Sequence, residues 1–195
     1  MLGDDIEGGC LVVEDAEGGR YSMELSDDFV FEDTTPRIAD MDDDGENEVV
    51  TIRSSTTEGA AVAIYHLHNG SLEEAASTPP IGLANRWLAP AGIADFNNDG
   101  RVDIAYIQTP HIGGILRYWS MLDSGFTELA RAHGFSNHAI GSSRVSTSKL
   151  LDANDDGVTD LALPDQYRGE TVIVTLHPMM SVIERRPYQE EFFDE

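Results

Sequence analysis

The sequence predicts an all-β fold, a propeller-like array of about three to four four-stranded antiparallel blades, and three observations predict it. An acidic motif recurs as "DMDDDGENE" from Asp40, "DFNNDGRVD" from Asp95 and "DANDDGVTD" from Asp152, with starts 55 (40 to 95) and 57 (95 to 152) residues apart. Each motif is followed in constant phase by runs rich in the β-branched and aromatic residues that suit a pleated, half-buried surface. No segment carries a convincing amphipathic helical period. Repeats of four short strands, somewhat longer than those of WD40 or kelch proteins, are the pattern of propeller blades.

The chain opens with a hairpin, "GCLVVEDAEGGRYSMEL" (9 to 25), a partial blade within residues 1–30. The first blade (31–85) runs from "RIAD" through the first motif to strands over 48–53 and 60–68, the Asn69-Gly70 turn and a last strand over 72–78. Asn-Gly is a strong two-residue hairpin signal. The second blade (86–143) follows the same plan, with "AGIAD", strands over 103–107 and 115–121, a looser turn at Asp123-Ser124-Gly125, and 126–132. The third (144–186) has "SKLLD", 160–163, 171–176, a turn at His177-Pro178 and 181–186. An acidic tail (187–195) ends the chain; fraying is its plainer expectation, although Tyr188, Phe192 and Phe193 could cover an edge strand. All of this fits one structural domain of 195 residues. Closed propellers have about four to eight blades, so the hairpin is half of a fourth blade, or the ring is open, or another chain completes it and the protein is an oligomer.

The balance of 36 acidic against 12 basic residues gives a formal charge of −24, which repels nucleic acid and anionic membrane surfaces and makes cations the natural partners. Lys149 is the only lysine; an acidic, lysine-poor surface also suits a protein working in high salt, where repulsion is screened. Cys10 stands alone, so no disulfide forms within the chain. No apolar run is long enough for membrane insertion, and "MLGDDIEGG" lacks the features of a secretory signal.

The acidic motif has the chemistry of a calcium loop. Calcium takes six to eight hard oxygen ligands from alternating positions of a tight bend. Positions 1, 3 and 5 supply Asp40, Asp42 and Asp44; Asp95, Asn97 and Asp99; and Asp152, Asn154 and Asp156. Position 9 supplies Glu48, Asp103 and Asp160, while position 7 offers a backbone carbonyl, so Glu46, Arg101 and Val158 differ freely. Gly45, Gly100 and Gly157 occupy position 6, where a sharp bend favours a residue without Cβ. An EF-hand would need a bidentate Glu at position 12, where Thr51, Tyr106 and Leu163 stand, and flanking helices, where the sequence reads strand. Asx-rich turns without metal are the plain alternative, but turn chemistry alone does not require a carboxylate at position 9. Up to three Ca2+ ions are therefore expected, acting as staples.

Enzyme motifs are absent: there is no G-x-S-x-G, no H-E-x-x-H and no phosphate-cradling glycine loop. No catalytic residue is assigned. His66 and His68 alternate on one strand face without a nearby third metal ligand. Arg86, Trp87, His111, Asn137 and His138 lie in connections that could form a polar, aromatic ligand patch, with Trp87 more simply a core anchor. Asn69-Gly70-Ser71 matches a glycosylation sequon, but the hairpin turn accounts for it.

These loops, at blade-length spacing and each followed by strands, resemble the FG-GAP or VCBS-type repeats, related in design to the integrin alpha-subunit propeller. The resemblance spans about residues 30 to 185, and "GGILRYW" (113 to 119) faintly echoes the family's signature. It implies structural calcium loops joining the strands, with ligands bound by loops elsewhere. The expectation is a non-catalytic binding or adhesion module with a protein or carbohydrate partner, periplasmic or extracellular, where calcium is abundant. A carbohydrate-active or phosphoester-cleaving propeller enzyme, or a fragment completing a larger propeller, is the alternative.

Overall fold

A computed structural model describes residues 8–33, 35–122, 125–139 and 146–194. Among these residues every regular element is a β-strand apart from one 3-10 turn, and the strands form four antiparallel sheets. The chain divides into two compact units, Met1–Asp40 with Asp44–Trp87, and Met41–Asp43 with Leu88–Glu195.

In the first unit, β1 (Cys10–Glu14) and β2 (Arg20–Glu24) pair as the expected hairpin. Asp15 closes it, its carboxylate accepting the N–H groups of Glu17 and Gly19 and the Tyr21 hydroxyl. The register sets Leu11 opposite Met23 and Val13 opposite Tyr21, so one face of the hairpin is apolar. That face packs on Phe31, Val49, Ala63, Tyr65 and Leu72 of the first blade. The blade consists of β3 (Phe29–Phe31), β4 (Arg37–Ala39), β5 (Glu48–Ser55), β6 (Gly59–His68) and β7 (Ser71–Ser77). β3 pairs with the end of β5 and β4 with its start, so two short strands share one edge position. Pro36 falls in the break between them, where its fixed φ and missing N–H interrupt a ladder. Asn69 and Gly70 both have positive φ, 51° and 79°, the conformation that a two-residue turn matched to strand twist needs.

The second unit holds two four-stranded sheets in sequence order. One is β8 (Leu88–Ala94), β9 (Asp103–Gln108), β10 (Ile115–Leu122) and β11 (Gly125–His133). The other is β12 (Lys149–Leu151), β13 (Asp160–Pro164), β14 (Glu170–Thr175) and β15 (Ser181–Pro187). The two sheets share a core of Phe96, Ile107, Leu116, Tyr118, Leu161, Leu163, Val172 and Val174. Strand β13 is buried along its whole length and β9 along all but its last residue, which is why they read as continuous apolar runs and not as an alternation. Of the looser turn, Asp123 and Ser124 lie outside the described residues.

Each blade carries a register shift at the same place in its third and fourth strands: Ile64/Tyr65, Tyr118/Trp119 and Ile173/Val174. Ala75, Leu129 and Ile183 are the extra residues, and such bulges sharpen local twist. The tail does not fray. Beyond β15 it forms a 3-10 turn, Glu190–Phe193, and the Phe192 ring lies beneath the guanidinium of Arg186 at 3.9 Å and the ammonium of Lys149 at 4.9 Å. The acidic composition that argued for fraying is outweighed by these cation–π contacts and by the Lys149 ammonium, which also donates to the Phe192 carbonyl at 3.3 Å.

Candidate metal centre

The three acidic motifs fold into loops with one hydrogen-bonding scheme. In each, the position 1 carboxylate accepts the N–H of the position 6 glycine: Asp40 from Gly45 at 3.0 Å, Asp95 from Gly100 at 2.9 Å and Asp152 from Gly157 at 2.9 Å. The position 5 carboxylates, Asp44, Asp99 and Asp156, accept the N–H of position 7 at 2.8 to 2.9 Å. Asn97 and Asn154 accept the N–H of position 5 and donate to its carboxylate. The glycines have φ of 91°, 86° and 83°. Position 4 is left-handed as well, with Asp43, Asn98 and Asp155 at 63°, 61° and 57°. Asp or Asn stands at that position in all three loops, the residue types that best tolerate such a φ, a signal that calcium-ligand spacing alone does not single out.

Position 9 sits at the first residue of the following strand and is buried: Glu48 is 2% exposed, and Asp103 and Asp160 are fully buried. Asp103 Oδ2 accepts the Phe96 N–H at 3.2 Å and Asp160 Oδ2 the Ala153 N–H at 2.9 Å. Their other oxygens, Oδ1 of Asp103 and Oδ1 of Asp160, are buried without a hydrogen-bond donor, and so is Oδ1 of Asp40 in the first loop. Each loop thus leaves one buried carboxylate oxygen unmatched, a state that is unfavourable until something positive arrives. Burial pushes the Asp103 carboxyl up to about 6, opposed by the Phe96 N–H and reinforced by the Asp99 and Asp95 charges. In the first loop, oxygens of Asp40, Asp42 and Glu48 all lie within 4.8 Å of one another. The donor set is all oxygen, which suits a hard divalent cation and not a soft one. At position 7, Glu46 and Arg101 are exposed while Val158 is buried, so these side chains serve no common purpose.

The loops are anchored from beneath and from the side. Phe96, at position 2, is fully buried and meets the Tyr118 ring edge-on at 5.1 Å. Tyr118 is fully buried, its hydroxyl has no hydrogen-bond partner, and burial together with the Asp160 charge raises its pKa. His177, in the β14–β15 connection, brings Nδ1 within 3.1 Å of the Asn97 carbonyl oxygen.

The remaining sequence candidates separate. His66 and His68 stack with ring centroids 5.6 Å apart, and no third ligand joins them among the described residues. Trp87 is a core anchor, 9% exposed, with Nε1 donating to the Glu32 carbonyl at 3.1 Å. Arg86 lines a cleft of about 160 Å³ with Glu32, Ser54 and Asn85, in which the Ser54 hydroxyl donates to the Glu32 carboxylate. In the second unit His111 and His138 meet with ring centroids 4.9 Å apart, and burial, then His138, lowers the His111 pKa. Asn137 is fully buried, its amide donating to the carbonyls of Ala89 and Pro90.

Residues 40–106 match the family model of the FG-GAP-like repeat. The match begins at the first ligand position of the first loop, takes in the second loop and ends within β9. The resemblance to FG-GAP-type repeats is therefore met over those residues. A search of curated proteins found no match. No helix among the described residues is long and apolar enough to cross a membrane.

Proposed function

We propose that this chain is a calcium-stabilised, propeller-type repeat module with a structural and ligand-binding role and no catalytic one, working outside the cytoplasm. One observation carries the reading: three loops, alike in hydrogen bonding and backbone, each hold one buried carboxylate oxygen without a donor. Calcium would be held by Asp40, Asp42, Asp44 and Glu48 in the first loop. In the second the ligands would be Asp95, Asn97, Asp99 and Asp103, and in the third Asp152, Asn154, Asp156 and Asp160. The carbonyls of Glu46, Arg101 and Val158 would complete the sets. Bound metal would supply positive charge to crowded oxygens, and the loop amides already orient those oxygens. The match to an FG-GAP-like repeat supports the same reading. Extracellular calcium, at millimolar levels, fills even weak oxygen sites. For the ligand, a protein or a carbohydrate, the cleft beside Arg86 is the place to look.

The test is isothermal titration of metal-free protein with calcium. Heat accounting for up to three ions is expected, and Asp99→Ala should remove one of them. A flat titration would sink the reading.

A further inference from the structure

We propose that His177 is a positioning residue for the second acidic loop and couples it to the third, so that filling either favours filling the other. The inference rests on the calcium reading above. His177 belongs to the third blade, yet its Nδ1 lies 3.1 Å from the main-chain carbonyl oxygen of Asn97, which is position 3 of the second loop. A carbonyl oxygen only accepts, so Nδ1 carries the hydrogen and donates it.

The histidine is held in place from its own blade. The Thr175 hydroxyl accepts the His177 N–H at 3.1 Å and donates to the His177 carbonyl at 3.1 Å. Thr175 is buried at the end of β14, and the register that pairs Leu161 with Val174 sets it beside Asp160, the buried ligand candidate of the third loop. Asp160 and Thr175 thus stand at facing register positions at the end of the β13–β14 ladder, and hydrogen bonds run on from Thr175 to His177 and from His177 to Asn97, just before the left-handed bend at Asn98. Within the core that the two sheets share, Tyr118 packs on Phe96 of the second loop, and its hydroxyl is buried without a partner. Ordering one loop thus lowers the entropy lost in ordering the other, and by linkage the effect is reciprocal.

A chain of contacts becomes coupling only when energy is shown to pass along it. Calcium titrations of the full chain, followed by NMR at the Gly100 and Gly157 amides, read the two loops separately. Asp156→Ala, which silences the third loop, should weaken calcium binding reported by Gly100 about fivefold or more, the usual lower range of allosteric coupling. His177→Ala should weaken Gly100 to a similar degree, and adding Asp156→Ala should then change Gly100 no further. His177→Asn keeps an N–H donor in the same place and should restore the dependence; this variant also carries the test if His177→Ala fails to fold. A Gly100 titration indifferent to Asp156→Ala, or still sensitive to it in His177→Ala, would overturn the coupling while leaving three calcium sites intact. No response at either glycine would overturn the calcium reading itself, and the coupling with it.

Discussion

Asp33 has a fully buried side chain beside Arg37, whose guanidinium reaches it at 2.5 Å across the break in the first blade's edge. Burial raises the Asp33 pKa and the Arg37 charge pulls against that rise. A carboxyl held above its ordinary value binds its proton more tightly folded than unfolded. Its stabilising contribution is therefore complete below about pH 4 and is lost as pH rises through the folded value. Removing Arg37 moves that value further up and widens the window. Arg37→Gln should destabilise by about 2 to 3 kcal/mol at about pH 8 and by clearly less at about pH 5. Urea unfolding at the two pH values checks this, and an equal loss at both would refute it. Nothing in "EDTTPR" announces the pair, because which of several acidic residues is buried depends on a fold that local sequence does not carry. The loops are the opposite case: the acidic residues and glycines at positions 1, 3, 5, 6 and 9 stand out in the sequence because a calcium loop would dictate residue type there. Position 4 was missed because Asp and Asn read as further polar residues until the backbone shows φ near 60°.

At the scale of the strand, the third strands of the three repeats were legible from their richness in β-branched and aromatic residues. The bulges at Ala75, Leu129 and Ile183 were not, since a bulge is a fact about two strands and either strand alone looks regular. The same holds for Gly114. Its φ is not left-handed, so a turn does not require it; a Cβ there would lie 1.7 Å from the Phe135 carbonyl oxygen. That backbone crosses close because Gly134 and Phe135 both donate to the Gly114 carbonyl, at 2.9 and 3.3 Å. Its neighbour Gly113 has a φ of 69° and open space where a Cβ would stand. Gly114→Ala should therefore cost about 3 kcal/mol or more by displacing backbone. Gly113→Ala should cost only about 1 kcal/mol, from the left-handed conformation alone. Two urea curves decide it, and similar midpoints for the two variants would contradict the close approach. The docked tail belongs at this scale too. Its aromatics were visible in sequence, but the cations that hold them, Lys149 and Arg186, lie on β12 and β15, the two edges of the sheet, and only the folded chain brings both to residue 192.

For the whole molecule, the repeated four-stranded units were legible only where the motif recurs. The N-terminal hairpin carries no motif, so its role showed only in the apolar face it lays on the first blade. Charge is the property that the whole chain shares. The formal −24 of the metal-free protein falls to −18 when three divalent ions bind, and two explanations of any calcium effect then compete. One is specific gripping by the three loops; the other is general relief of repulsion, which any salt provides. High ionic strength separates them, because about 1 M salt shortens the screening length to about 3 Å and removes the general part. Binding confined to the folded state adds about 2.7 kcal/mol per site at a hundredfold excess over Kd. At about 2 to 4 °C per kcal/mol for a chain of this size, three filled sites should raise Tm by at least about 15 °C. Thermal melts at about 1 M NaCl should therefore still show a large fall on adding EDTA. Excess calcium should restore the lost Tm, and magnesium, which demands a tighter octahedral cage, should restore less of it. If high salt alone abolishes the EDTA effect, or magnesium replaces calcium fully, then the acidity of this chain serves its surface and the loops are ordinary turns.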